Sequence, residues 1–471
     1  MYPVATGSVK VSAYFPALTG LRFLLALWVI LHHLTGHNMM LEQWELSLPS
    51  LVQSLIRGGY LAVQTFFILS GFVLAQSYSR TKWNRTSLIR FGAARIARIY
   101  PVYLLSLLVV SRFIVETLAK PDRTAAQKAA LLGDYGFILL GWMGSLSVGW
   151  NTPAWSLSCE LFFYLCFPLL FLWLRNAGPL KIASALALSF AVPILLAHAG
   201  VPPYWKPVHH LSDFVAGIAA SGLYKMLSRN VPSLKQRSGW IVLAALVAGV
   251  ALITHPQVLY GTQFDLNTAL RPLNVAALIS LAFGGGLIAK GLSTPIIEYL
   301  GRASYSMYIL HVPLLWWYSR YALHKLGPAP HGISALFFLA GVIGVSSLAF
   351  TFVESPANLW LRDWTALQFR RRQSAEQGSL QLNECPWLSL APSHTTASKP
   401  LTGKLTACSG ERALTLRWPR ATSRTPKSSR ELVTISNRMI TICSPAAASI
   451  SLAWSAFPAR LSSGPASTPP T

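Results

Sequence analysis

Residues 15–37 read FPALTGLRFLLALWVILHHLTGH, a long apolar run that also carries one arginine and three histidines. A run of about 20 residues crosses a hydrocarbon core of ~30 Å at 1.5 Å per residue. Comparable runs recur along the chain as far as Phe352. A soluble protein buries one or two such helices, but not a series of them. The sequence therefore predicts an all-α integral membrane protein, with about ten transmembrane helices in one bundle.

The apolar runs predict about ten spans. They are residues 16–36, 60–79, 99–118, 155–174, 182–199, 208–226, 239–256, 272–290, 303–322 and 333–352. A weaker apolar piece at 135–148 is interpreted as re-entrant or interfacial. The first fifteen residues lack a signal-peptide pattern, so the first run is predicted to be retained as a helix.

Composition supports the membrane class. Hydrophobic residues make up 53% of the chain and charged residues 11%, against about 25% charged in soluble proteins. The formal net charge of +24 could suggest a nucleic-acid partner, but that charge lies in short loops and in the tail. We therefore predict no nucleic-acid partner. Cysteines and histidines show no metal-binding spacing, so no metal site is expected.

Loop charges predict the orientation of the spans. The connection after the second span reads SRTKWNRTSLIRFGAARIARIYP and contains no acid, and the connection after the sixth reads YKMLSRNVPSLKQR. Basic connections remain in the cytoplasm. Both termini are therefore expected in the cytoplasm. Residues 1–364 form the predicted membrane domain, and 365–471 form a low-complexity basic tail that is expected to be disordered or non-native.

Arg22 and His33 lie on one face of the first predicted helix. Eleven residues turn 1100°, which is 20° past three full turns, so the two side chains align at a separation of roughly 16 Å. Ionisable residues inside a bilayer are functional candidates. In one interpretation Arg22 binds an anion and His33 acts as a general base. In the other, Arg22 extends to the cytoplasmic interface and His33 to the outer one.

Arg95 and Arg98 stand three residues apart where the chain enters the third predicted span, so they are neighbours on one helix face. Two guanidinium groups at this spacing suit a phosphate or diphosphate. On spacing alone, membrane anchoring by positive charge is the favoured explanation.

Glu160 lies within the fourth predicted span, beside Trp155, Ser156 and Tyr164. A carboxylate there needs a partner from another span. It either orients a base or grips a hydroxyl, or it belongs to a structural ion pair.

The last two predicted spans carry further candidates. Tyr308 and His311 are three residues apart in the ninth, and Glu354 lies at the end of the tenth. For His311 and Glu354, the positions favour helix-end packing and hydrogen bonding over chemistry.

These residues, in this order, resemble acyltransferase family three, whose polytopic members O-acylate bacterial surface and exported glycans. The resemblance covers residues 14–364. It is carried by Arg22 with His33, by Arg95 with Arg98, and by four further stretches. Those stretches are GGYLAVQTFFILSGFVLA, which includes Ser70, WSLSCELFFYLCFP, and the closing motifs SYSMYILHVP and FVESP.

Two features differ between the chain and other members. Members often have Gly-Val-Asp where this chain has Ala62-Val63-Gln64, so Gln64 replaces an acid. Some members also carry a hydrolase-like extracytoplasmic domain, which nothing in the tail resembles. The segment SGFVLAQ and the overall length resemble the branch that modifies exopolysaccharide. Because nothing in the tail resembles that domain and the tail is expected in the cytoplasm, we expect a stand-alone membrane domain. The resemblance implies the bacterial inner membrane.

The family implies acyl-coenzyme A, commonly acetyl-coenzyme A, as donor and a free or lipid-linked glycan as acceptor. Coenzyme A phosphates would dock at Arg95 and Arg98, with Arg22 deeper. His33 would be either the general base or a transient acyl carrier, oriented by Glu160. The competing class is a transporter or flippase of lipid-linked saccharide, in which the same charges would line a pathway.

Overall fold

The structure is a computed structural model that describes residues 14–35, 41–142, 149–262, 265–322, 331–361, 367, 405–409 and 412–416. The chain divides into two units, Met1–Leu367 and Gln368–Thr471. The α-helices of the first unit are α1 Pro16–Leu34, α2 Glu42–Leu46, α3 Ser50–Arg57, α4 Ala62–Ser77, α5 Arg85–Val109, α6 Ser111–Ala119, α7 Ala125–Gly136, α8 Trp155–Leu174, α9 Pro179–His198, α10 Lys206–Asn230, α11 Leu234–Thr254, α12 Leu266–Phe283, α13 Gly286–Leu292, α14 Pro295–Trp317 and α15 His331–Ala349.

Short helical segments join some of these elements. Three are 3-10 turns, Gly58–Leu61, Thr152–Ala154 and Pro256–Leu259, and two are π-helical turns, Tyr318–Ala322 and Phe350–Glu354.

Within the described ranges, eight helical stretches are long and apolar enough to cross a membrane, as judged by length and composition. Two further long helices, α10 with 25 residues and α14 with 23, do not reach that standard. Both are largely enclosed by other helices, and residues 303–313 of α14 are all buried. Polar side chains are tolerated there because they face the bundle interior and not lipid. The predicted all-α multi-pass membrane fold is confirmed.

The α8 helix shows how such a helix meets both protein and lipid. Phe163, Phe167 and Phe171 recur every four residues on its inner face and are at most 1% exposed. Leu165 and Leu169, on the opposite face, are 79% and 74% exposed. A helix that is apolar all round is typical of a membrane span, because lipid replaces water on its outer face.

The third and eighth predicted spans have wrong boundaries. The third begins at Arg85, because Asn84 and Ser87 form a reciprocal capping box, with Asn84 Oδ1 accepting from the Ser87 amide at 2.8 Å. The arginine-rich segment before residue 99 is therefore helical. The eighth ends at Phe283, because Gly284 adopts a left-handed conformation with φ of 71°.

Two other predictions fall partly outside the described residues. The weak apolar piece at 135–148 follows α7 as turns up to residue 142, and residues 143–148 lie outside the description. In the second unit, β1 (Leu405–Ser409) pairs antiparallel with β2 (Arg412–Leu416), with Leu405 opposite Leu416. That residues 365–471 form a disordered or non-native tail stays a prediction. The rest of the tail lies outside the description.

Glycines set the closest helix contacts in the first unit. A Cβ on Gly217 of α10 would lie 2.0 Å from the carbonyl oxygen of Ile68 in α4, and one on Gly71 would lie 2.2 Å from that of Phe214. A Cβ on Gly301 of α14 would likewise lie 2.0 Å from the Thr19 oxygen in α1. Small residues let membrane helices approach this closely. These two helix pairs position the polar residues described below.

Replacing Gly217 with alanine is expected to destabilise the bundle by about 3 kcal/mol or more, since the new methyl group meets a backbone oxygen that cannot rotate away. The thermal unfolding midpoint in detergent measures this loss. Gly341→Ala is the matched control. Gly341 lies in α15 with open space where its Cβ would be, so alanine there should leave the midpoint unchanged or slightly raise it. Equal midpoints for the two variants would contradict the close-packing argument.

Candidate functional site

A cavity of about 270 Å³ lies among α1, α4, α5, α8 and α14. Its lining combines aromatic rings with arginine, carboxylate and hydroxyl groups. The lining residues are Arg22, Val63, Phe66, Phe67, Ser70, Val73, Leu74, Ser77, Tyr78, Arg95, Arg98, Ser156, Leu157, Glu160, Tyr164, Ser304, Tyr305 and Tyr308. Ligand sites in proteins are usually concave spaces of this mixed kind.

A wider cavity of about 720 Å³ adjoins the first and includes Tyr14, Arg302, Glu354 and Asn358 in its lining. Arg22, Arg95 and Arg98 line both cavities. These three guanidinium groups therefore stand where the wider cavity, called the mouth below, meets the inner one. Tyr78 also lines both, and it directly precedes the basic connection that begins at Ser79.

In the ranges that the structure describes, no carboxylate pairs directly with any of the three arginines. In the described part of the chain, the ion pairs within 4 Å involve other residues. Arg95 lies over the rings of Phe91 and Tyr164, at 5.7 and 5.6 Å, and its buried Nε has no hydrogen-bond partner among the described atoms. Arg98 lies 6.0 Å from the Tyr305 ring. Partly enclosed guanidinium groups without a carboxylate partner suit a bound anion.

The two carboxylates of the region are held by hydroxyl groups. Tyr164 donates its hydroxyl hydrogen to Glu160 Oε2 at 2.9 Å, within α8. Ser306 donates to Glu354 Oε2 at 2.6 Å, and Glu354 is 3% exposed. The expected hydrogen bond from Glu160 to His33 is not formed, because Glu160 faces the inner cavity and bonds Tyr164. Glu354 contributes to the mouth.

The remaining predicted residues fall into two groups. Ser156 and Tyr308 line the inner cavity, and both donate hydroxyl hydrogens to the carbonyl oxygen of Pro153, at 2.9 and 3.3 Å. Ser70 lines the same cavity. Trp155 does not line it, and instead packs under the ammonium group of Lys206 at 4.1 Å.

His33 and His311 lie together beyond Tyr308. The nitrogen Nε2 of His311 lies 3.4 Å from Nδ1 of His33, and the ring centroids are 5.0 Å apart. His311 is 1% exposed, whereas His33 is half-buried. Neither ring lines the inner cavity, but Tyr308 does, and its carbonyl oxygen lies 2.7 Å from His311 Nδ1. The packing of α1 on α14 thus brings the predicted histidine next to a second one.

The hydrogen bonds determine which nitrogen of His33 is free when both rings are neutral. His311 Nδ1 must donate to the Tyr308 oxygen, so its Nε2 can accept. His33 Nδ1 lies 2.9 Å from the Val29 oxygen and faces that acceptor, so Nδ1 carries the hydrogen. Nε2 of His33 is left with a lone pair, which a base or nucleophile requires.

A buried polar network was missed from the sequence. Arg271 donates from Nε to Asp213 Oδ1 at 2.7 Å, Gln64 donates to the same oxygen at 3.0 Å, and His210 Nδ1 lies 2.9 Å from Asp213 Oδ2. Asp213 lies within the sixth predicted span, so an ionisable residue inside a span was the signal that could have revealed it. Over the described ranges, no group of three or more His, Cys, Asp or Glu is placed to hold a metal ion.

The fold and the cavity define a multi-pass membrane protein with an arginine-lined cavity inside its helix bundle. The chain belongs to acyltransferase family three, because the family profile described as "Acyltransferase domain" matches residues 15–353. The protein is therefore an acyltransferase, and the resemblance predicted from the motifs is confirmed.

Individual relatives agree with this assignment. Acyltransferase MdmB of Streptomyces mycarofaciens is 28% identical over 80% of this chain and 98% of its own length. O-acetyltransferase OatA of Staphylococcus aureus (strain NCTC 8325 / PS 47) is 24% identical over 73% of this chain. Peptidoglycan O-acetyltransferase OatA of Listeria monocytogenes is 25% identical over the same share. The chain spans 57% and 56% of the two OatA proteins. No solved structure matches the chain.

Proposed function

We propose that the protein transfers an acyl group, most commonly acetyl in this family, from acyl-coenzyme A to a hydroxyl of a surface or exported glycan. The observation that carries this proposal is a set of three arginines where the mouth meets the inner cavity, none of them in an ion pair with another described residue. The names of the OatA relatives, one of them a peptidoglycan O-acetyltransferase, support acetyl transfer and a glycan acceptor.

The donor would enter from the cytoplasm. The mouth adjoins the basic connection that follows α4, and basic connections remain on the cytoplasmic side. Arg95 and Arg98 would hold the phosphate groups, and Arg22 would extend the positive surface inward. The pantetheine arm would occupy the inner cavity, with the thioester toward Ser156 and Tyr308. In this arrangement both termini are cytoplasmic and the bundle lies in the bacterial inner membrane.

His33 would perform chemistry through Nε2. As a general base, it takes the proton of the acceptor hydroxyl while the hydroxyl oxygen bonds to the acyl carbon and the carbon–sulfur bond breaks. As a transient carrier, Nε2 itself bonds to the acyl carbon, and the hydrogen on Nδ1 can pass to His311 Nε2, which lies 3.4 Å away. In either case the coenzyme leaves as a thiolate.

The test uses the purified full-length protein in liposomes, with acetyl-coenzyme A and surface glycan from cells that lack the gene. We expect free thiol to appear together with a mass increment of one acetyl group on the glycan. Thiol release and the mass spectrum of the glycan measure the two products. Movement of a lipid-linked glycan across the bilayer without thiol release would instead show a transporter and overturn the proposal.

A further inference from the structure

His210 is held by a carboxylate that is itself fully buried. Asp213 is 1% exposed, and its two oxygens contact His210 Nδ1 at 2.9 Å and Arg271 Nε at 2.7 Å. Gln64, in the neighbouring helix α4, donates to Asp213 at 3.0 Å and to the Asn267 oxygen at 2.8 Å. A carboxylate with this many donors stays charged and rigid. His210 Nδ1 is therefore fixed as the donor, and Nε2 faces away from the network with its lone pair free.

No carboxylate of the described residues lies within 4 Å of a ring nitrogen of His33. Its Nδ1 contacts are a backbone oxygen and the imidazole of His311. A base becomes a cation when it takes a proton, and an adjacent carboxylate stabilises that cation. Within the described residues, His210 is the histidine whose ring nitrogen lies within 4 Å of a carboxylate. The Asp213 contact therefore suits His210 to take the proton and leaves His33 the role of transient acyl carrier.

His210 is also reachable and close to the inner cavity. Its side chain is 23% exposed. Its ring lies 5.2 Å from that of Phe67, which lines the cavity, and 5.5 Å from that of Trp155, which directly precedes the cavity residue Ser156. Lys206, one helical turn before His210, lies over the same Trp155 ring.

Exposed aromatic side chains form a surface at the N-terminus of α10. Tyr204 and Trp205 precede the helix and are 44% and 43% exposed. The mouth arginines stand near the start of α1, whereas Trp155 and Lys206 begin helices that run toward the basic connections. The surface thus lies at the bundle end opposite the mouth. Exposed aromatic rings with a few polar groups form surfaces on which the apolar faces of sugar rings can pack.

We propose that the acceptor saccharide binds beside Trp155 and Lys206, and that His210, positioned by Asp213, accepts the proton of its hydroxyl. This inference rests on the proposed function and adds the acceptor subsite to it. The oxygen–hydrogen bond breaks and the proton moves to His210 Nε2, while the oxygen bonds to the acyl carbon. The bond from that carbon to His33 Nε2, which carries the acyl group before this step, breaks, and the nitrogen keeps the electron pair. His210 then releases the proton to solvent.

The test compares His210→Asn with His209→Asn in the full-length protein in liposomes. Asparagine can still donate to Asp213 but cannot take a proton. His209 is the matched control, since it is the neighbouring histidine and its Nε2 contacts the Pro202 oxygen at 3.1 Å. The probes are acetyl-coenzyme A and glycan from cells that lack the gene. Rates are divided by the amount of monodisperse protein recovered, so that partial misfolding does not imitate a catalytic loss.

We expect His210→Asn to lower kcat for glycan acylation by about 100-fold or more, with the KM for acetyl-coenzyme A within about twofold of wild type. His209→Asn should keep the wild-type rate. Added imidazole should restore part of the activity of His210→Ala, which a purely structural role would not allow. Wild-type kcat in His210→Asn, an equal loss in His209→Asn, or a loss confined to the donor KM would each overturn the inference. If the wild-type protein releases no thiol, the proposed function itself fails, and the two failures are thereby distinguished.

Discussion

Replacing His33 with alanine is expected to abolish acyl transfer while the protein still inserts into the membrane. The half-buried imidazole offers a free Nε2, because its Nδ1 faces the Val29 oxygen and His311. Loss of a general base costs about 100- to 10,000-fold in rate, and loss of a nucleophile costs the whole covalent route. Glycan acetylation, measured by mass spectrometry together with thiol release, reports the effect.

His32→Ala is the matched control for that prediction. His32 is the adjacent imidazole on the same helix, with its ring 5.4 Å from that of His33. It lies about 100° away from His33 around the helix axis, and its Nδ1 has no hydrogen-bond partner among the described atoms. We expect a milder loss from this variant. Normal acetylation by His33→Ala protein, or an equal loss in both variants, would remove His33 from the chemistry. Membrane insertion is checked by extraction of both variants with detergent.

Arg98→Ala is expected to raise the KM for acetyl-coenzyme A by roughly 10- to 100-fold, the range that corresponds to one lost charge-assisted hydrogen bond. Arg98 lines both the mouth and the inner cavity, and no ion pair of the described residues occupies its guanidinium group. Arg98→Lys should give an intermediate KM, since lysine keeps the charge but loses the planar fork. Initial rates at varied donor concentration measure both changes.

Arg85→Ala controls for the general loss of positive charge. Arg85 begins the same helix, α5, and is exposed. Its replacement should leave the donor KM unchanged, because it contributes to neither cavity. A donor KM that is the same for Arg98→Ala and wild type would exclude Arg98 from the phosphate site. Equal increases in both variants would show that surface charge, and not a defined contact, attracts the donor.

Much of the fold could be predicted from hydrophobicity and charge along the chain. The apolar runs predicted the long helices of the bundle. They also predicted α10 and α14, although the polar residues of these two helices make them less apolar than the length-and-composition criterion for a span requires. The boundaries failed where local capping decided them. Asn84 begins α5 within a charged segment, and Gly284 ends α12 within an apolar one. Hydropathy does not detect either effect.

The candidate site, like the fold, could be predicted only in part from the sequence. Helical periodicity alone placed Arg22 and His33 on one face, and Arg95 beside Arg98, because those relations depend on one helix. The contact between His33 and His311 joins residues 278 positions apart, and the one between Gln64 and Asp213 joins residues 149 apart. No local pattern encodes such pairs. They depend on close crossings at Gly301 and Gly217, where a backbone oxygen leaves no room for a side chain.

The sequence by itself determined that this chain is a membrane helix bundle, that it resembles acyltransferases, and which ionisable residues stand inside the helices. Those properties follow from the length, order and periodicity of side chains along single elements. Only the tertiary structure decided the partners of those residues. Among the described residues, it leaves the mouth arginines without an ion pair and joins Glu160 to Tyr164 by a hydrogen bond. In the same ranges, a carboxylate contacts His210 and none contacts His33. Helix packing decides which side chains contact each other. In a low-dielectric interior, charges act strongly on the groups that they directly contact, so packing also decides the electrostatic partners of each ionisable residue.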